Sequence, residues 1–137
     1  MCENREADMA EKFLKAARDW ADIHCNQGRQ PAYIYVFDRE LPGDNAGAFR
    51  SGELWYVFET LSRSWRPFED IDYKISEMMS DYCKNFATAG DPNSDGLLNW
   101  ACYTNINHMV MKLEKSISTG LQLNSSKICK IHKNGIR

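Results

Sequence analysis

The run AYIYVFD, residues Ala32–Asp38, decides the fold of this 137-residue chain. It is continuously apolar up to Phe37, too short for a helix, and rich in aromatic and β-branched side chains. Such a run fits a strand covered on both faces, as in a parallel sheet. Upstream, Glu3 to Gln27 is rich in Ala, Glu, Lys and Arg, and Met9, Phe13, Ala17, Trp20 and His24 recur at helical spacing as one apolar stripe, with Gly28 supplying the stop. A helix that feeds a buried strand is half of an α/β unit, so the expected fold class is α/β.

Downstream, residues 39 to 52 hold Pro42, Gly43, Gly47 and Gly52 among Asp44, Asn45 and Ser51, which marks a loop at the C-terminal end of the strand. In open α/β sheets that edge carries ligands and chemistry. Within the loop, Gly47-Ala48-Phe49 leads to Arg50, as though to present one side chain ahead of a short helix over Glu53–Phe58. A second long helix is expected from about Asp70 to Thr88, with Ile71, Ile75, Met78, Tyr82 and Phe86 on one face and Gly90 closing it. Asp91-Pro92-Asn93 reads as a turn, and Met109, Met111 and Leu113 alternate as an edge strand would. From Ser116 the chain turns polar, with Ile128 and Ile131 among Lys and Asn, so the expected organisation is one unit over 1–115 and a loosely held polar tail over 116–137.

Seventeen basic residues stand against 19 acidic ones, a formal net charge of -2, which implies no nucleic-acid partner. No apolar run approaches bilayer length, and Met1 is followed by Cys2, Glu3, Asn4 and Arg5 without a hydrophobic signal core; no membrane association and a cytoplasmic location are expected. The five cysteines, Cys2, Cys25, Cys83, Cys102 and Cys129, are odd in number and widely spaced, as reduced thiols would be. Asn124-Ser125-Ser126 matches a glycosylation acceptor but has no secretory signal to use it.

Asp91-Pro92-Asn93-Ser94-Asp95-Gly96 has the opening of an EF-hand calcium loop, but Cys102 occupies the twelfth position, where a bidentate Glu is required, so a solvated turn is expected. Cys102, His108, Cys129 and His132 are scattered candidates for a transition metal, and buried thiols with surface imidazoles are the simpler account. His24 lies near the end of the first helix, where it can meet the helix dipole or pack. Arg39, Arg50, Arg63 and Arg66 are interleaved with Glu40, Asp44, Glu53 and Glu59, as on a mixed surface. No cofactor and no metal are expected. Nucleophilic hydrolysis would need a G-x-S-x-G elbow or an H-G-G-G segment, and the sequence contains neither.

The order of Tyr33-Ile34-Tyr35-Val36-Phe37-Asp38-Arg39, Pro42-Gly43, Gly47-Ala48-Phe49-x-Ser51-x-Glu53-Leu54-Trp55-Tyr56-Val57-Phe58 and Asp81-Tyr82-x-x-Asn85-Phe86-Ala87-x-x-Gly90-Asp91-Pro92-Asn93 resembles the C-terminal part of type B carboxylesterases, over residues from about 12 to 113. The resemblance implies the C-terminal portion of an α/β-hydrolase fold, with few strands and two long helices, and ester hydrolysis through an acyl-serine intermediate by a Ser, acid and His triad. It implies small-molecule esters as the parent family's substrates. The family's His lies in a G-x-x-H-x-x-E-L segment, whose matching positions here are Gly47, Arg50, Glu53 and Leu54. Arg50 thus stands at the catalytic-His position, with Glu53 a nearby motif residue. A guanidinium offers only donors and stays protonated, so it cannot act as the base; an ion pair, with Glu53 for example, is the expected role.

The resemblance also implies that the nucleophile, oxyanion hole and acid precede this segment, so the isolated chain is expected to be a catalytically silent fragment. The alternatives are a non-catalytic α/β module for protein interaction or ligand binding, and one piece of a split esterase. The two-sided apolar strand is expected to pair with a second copy or with a missing N-terminal portion.

Overall fold

The computed structural model describes residues 3–45, 47–48, 51–114 and 117–122, with residues 3–10 and 117–122 described by their backbone alone. Helix α1 spans Glu3–Asn26, and strand β1 spans Tyr35–Phe37. The short helix α2 (Leu54–Val57) and a 3₁₀ turn (Leu61–Arg63) lead into helix α3 (Asp70–Ala89). Strands β2 (Met109–Leu113) and β3 (Ile117–Gln122) follow. The sheet order is β1-β2-β3, with β1 and β2 parallel and β2 and β3 antiparallel.

The apolar run at 32–38 forms the expected strand in a shorter form. Only Tyr35–Phe37 pair fully with β2, in register with Met111 to Leu113, while Ala32 makes an isolated antiparallel bridge with Tyr103. The alternation of the run sorts its side chains between two faces. Ile34 and Val36 join Ala21 and Leu14 of α1, Tyr103 and Val110 on one side. Tyr33 and Phe37 join Tyr56, Ile75, Met79, Tyr82, Trp100, Met111 and Leu113 on the other. Helices therefore cover both faces, as the sequence demanded.

Three expectations change. The stripe read on α1 faces outward: Phe13, Ala17 and Trp20 are exposed, and the helix turns Leu14, Ala21 and Cys25 inward, one residue further round. Ala21 is fully buried, and its small side chain lets the helix approach Tyr103, whose hydroxyl donates to Asp22 at 3.1 Å and whose carbonyl accepts from the Cys25 thiol at 3.3 Å. Strand β2 lies in the middle of the sheet, and Val110, Met111, Lys112 and Leu113 are all buried. Residues 117–122, expected to begin a loose tail, form β3 against it. Ile128 and Ile131 lie outside the described residues.

Helix α3 carries its own boundary signals. The Asp72 carboxylate reaches back to accept the Glu69 backbone N–H at 2.9 Å, one arm of a capping box, and Gly90 ends the helix in the left-handed region with φ of 74°. Ile75, Met79 and Tyr82 form its buried stripe, whereas Phe86 is half exposed.

Candidate functional site: the loop after strand β1

The loop from residue 39 to residue 52 leaves the C-terminal end of β1 and returns into α2. At its start Arg39 is buried and paired with Asp72, through Nε to Oδ1 at 2.7 Å and Nη2 to Oδ2 at 3.1 Å. The Tyr56 hydroxyl donates to the same Oδ1 at 2.8 Å. Burial by itself would raise the Asp72 carboxyl; hydrogen bonds from Arg39, the Glu69 backbone and Tyr56 together overcome it and hold the group below the usual carboxylate range. Burial, then the bond to Asp72, pushes the Tyr56 phenol up. One carboxylate thus ties the end of β1, helix α2 and the start of α3 together.

A second cation holds the middle of the loop. Arg66 Nη1 donates to the Pro42 carbonyl at 2.9 Å and to Asp44 Oδ1 at 2.6 Å, and Nη2 donates to Asp44 Oδ2 at 2.7 Å. Its guanidinium lies 4.9 Å from the Trp65 ring centre and 5.7 Å from that of Trp55. Gly43 passes under Trp65 at φ of 115°, where an added Cβ would sit 2.9 Å from the indole; this is backbone that glycine alone adopts without strain. The Leu41 N–H donates to the Gly47 carbonyl at 3.2 Å, drawing the loop closed.

At the far end, the Ser51 carbonyl accepts the Leu54 N–H at 3.2 Å, and Glu53 caps α2 through its own carbonyl, which accepts from Tyr56 and Val57. Glu53 is half buried. Burial, and then the Glu53 carboxylate and the Cys83 thiol, raise the Tyr35 phenol. Phe49 and Arg50 lie outside the described residues. The structure therefore anchors the loop on both sides of position 50 without describing the side chain there.

The imidazoles that are described sit elsewhere. His24 stacks on Trp20 with ring centres 4.7 Å apart, and His108 stacks on Tyr103 at 5.4 Å, its Nε2 2.9 Å from the Asn105 carbonyl. Cys129 and His132 lie outside the described residues, and no cluster of three metal-ligating side chains occurs among those described. In the Asp91–Gly96 turn, Asp91 Oδ1 accepts from the Asn93 backbone at 2.9 Å and from Asn93 Nδ2 at 2.7 Å. Asn93 Oδ1 accepts the Trp100 N–H at 2.6 Å while its Nδ2 donates to the Trp100 carbonyl at 3.0 Å. These side chains close the turn on itself.

Arg39 and Arg66, expected on a mixed surface, are both buried and hold the loop. A signal was available in Asp72, an acid on the inward stripe of α3 that requires a partner when buried. Glu53 lies at the far end of the loop, at the N-terminus of α2.

The comparisons with known proteins match this picture. The model of the carboxylesterase family matches residues 8–129. Carboxylesterase 5A of Canis lupus familiaris is 32% identical over 119 residues, covering 79% of this chain and 20% of that protein. Among solved structures, a thermophilic PNB esterase aligns with a TM-score of 0.60 at 26% identity, over 74% of this chain and 22% of its own. A Geobacillus stearothermophilus carboxylesterase, EST55, aligns with a TM-score of 0.63 at 26% identity, over 80% and 23%. The chain spans about a fifth of the length of these relatives. Among the described residues three strands and two long helices form a partial α/β-hydrolase fold, and the chain belongs to the carboxylesterase family.

Proposed function

We propose that the chain is the C-terminal part of a carboxylic-ester hydrolase of the serine type, contributing the loop of residues 39–52 as one wall of an active site, and that by itself it hydrolyses no ester. The anchoring of that loop by Arg39 and Arg66 at the C-terminal end of a parallel strand supports this reading most directly. In acyl transfer by a serine, the hydroxyl oxygen bonds to the ester carbonyl carbon as a base takes its proton, and that proton then leaves with the alcohol. The base needs a pKa near the working pH. Arg50 cannot supply one, and an ion pair is the role we assign to it.

Short-chain activated esters test the reading. The purified chain, and equally its Arg50→His variant, should release product no faster than buffer. A rate that saturates with substrate and vanishes with a serine-directed phosphonate would overturn it. A cytoplasmic location is part of the proposal, supported by the free thiols of Cys25, Cys83 and Cys102; recovery of the native chain with any of them in a disulfide would count against it.

A further inference from the structure

We propose that Asp95-Gly96, in the turn after α3, is a site of spontaneous backbone modification, where the folded chain closes to an aspartyl succinimide and reopens as isoaspartate. Such closure needs a side-chain carboxyl next to a following backbone N–H, both free of other partners, and no side chain on the following residue to hinder their approach. The turn supplies all three. Asp95 and Gly96 are both exposed, and Gly96 has φ of 90° with nothing within 4 Å of the place a Cβ would take. A glycine there leaves the backbone free to rotate until its nitrogen meets Asp95 Cγ. One backbone hydrogen bond closes the turn, from the Leu97 N–H to the Ser94 carbonyl at 3.2 Å. Neither the Asp95 carboxylate nor the Gly96 N–H has a hydrogen-bond or ion-pair partner among the described residues.

Other acids of the chain are protected from the same reaction. Asp91 precedes Pro92, which has no N–H, and its Oδ1 already accepts twice from Asn93. Asp44 is held by Arg66, Asp72 by Arg39, and Asp38 by Lys112 at 3.2 Å. Asp19, Asp22 and Asp81 lie inside helices, where the next N–H is bonded to the carbonyl four residues back. Of these acids and Asp95, only Asp95 has its carboxylate and the next N–H free together.

The chemistry needs only water. The Gly96 nitrogen bonds to Asp95 Cγ, its proton and the carboxyl hydroxyl leave as one water, and a five-membered imide forms. Water that adds at Cγ restores aspartate. Water that adds at the α-carbonyl leaves the chain running through Cβ and Cγ, one carbon longer, with a free α-carboxylate on the turn. Asn93 bonds both backbone groups of Trp100, so the longer path enters a segment, 94–99, that is fixed at both ends.

Mass spectrometry of the full chain, kept folded at neutral pH, sampled over time, then denatured and digested, tests the assignment. The tryptic peptide 85–112 should gain a form lighter by one water, with the loss placed at residue 95 by fragmentation, and then an isomer of unchanged mass. In that isomer a protease that cuts before Asp should lose its cut before residue 95 and keep the one before Asp91. A carboxyl methyltransferase selective for isoaspartate should transfer labelled methyl to it from S-adenosylmethionine. Asp95→Asn, which expels ammonia in place of water, should convert faster. Asp95→Glu keeps the charge and the exposure but needs a six-membered ring, and should abolish the conversion. A folded chain that keeps its full mass and its cut before residue 95, whether or not the chain in urea converts, would overturn the proposal. Equal conversion in Asp95→Glu would do the same.

Discussion

Asp72 illustrates how much one side chain can organise. Its carboxylate accepts from Arg39, Tyr56 and the Glu69 backbone while fully buried, so removing any partner leaves polar atoms without solvent. Asp72→Ala should cost about 3 kcal/mol or more of stability, because Arg39 would remain buried and unpaired. Tyr56→Phe should cost about 1.5 to 3 kcal/mol, the range for a hydrogen bond to a charged group; urea titration of both variants measures these losses. The pH dependence follows from the depressed carboxyl. A group lowered in the folded state stabilises fully above its ordinary pKa, about 3.9, and loses that contribution as pH falls through the folded value. Asp72→Asn should therefore weaken the protein at pH 7, and its deficit relative to the parent should shrink progressively below about pH 4. A deficit that is constant from pH 7 to pH 3 would refute the coupling.

At the scale of elements, the types were largely legible and their orientations less so. The strand at 32–38, the short helix after Glu53 and the helix closed by Gly90 all follow from local chemistry: apolar run, loop boundary and left-handed glycine. The rotation of α1 was not legible, because Phe13, Ala17 and Trp20 repeat as regularly as Leu14, Ala21 and Cys25, and only the bulk of Tyr103 against Ala21 selects between the faces. Strand β3 is not legible in the sequence, because pairing with β2, not apolar patterning, identifies it. The loop on either side of Arg50 could be read as a loop, but its anchors come from Asp72 and Arg66, distant in sequence and visible only once the chain is folded. The turn after α3 makes its own prediction. Asn93 satisfies both backbone groups of the buried Trp100, so Asn93→Ala should lower stability by about 1 to 3 kcal/mol, measured by thermal or urea unfolding. Calcium should bind there no better than millimolar, since Cys102 stands where the bidentate Glu would be. A micromolar site by calorimetry, abolished by Asp91→Ala, would contradict that.

On the scale of the whole molecule, the described residues form a covered sheet but not a closed surface. Trp20, Phe58, Trp65 and Ile106 stand largely in solvent, together with the aromatic rim of β1. Exposed aromatic surface of this kind binds apolar dyes and promotes association. The native chain should accordingly enhance the fluorescence of anilinonaphthalene sulfonate; a signal no brighter than that of the free dye would show that this surface is closed in solution.

The ring cluster around Trp100 has a spectroscopic consequence. Tyr33, Tyr35 and Tyr82 stand with their ring centres 5.9, 5.9 and 5.4 Å from the indole, drawn from two different elements of the fold and the run that leads into one of them. At such separations a phenol excited in the ultraviolet passes its energy to the indole before it can emit. Folded chain should be nearly dark in the tyrosine band from these three residues, and the band should brighten when the cluster separates. The light of a single tryptophan neighbourhood thus reports whether strand, helix and turn are assembled.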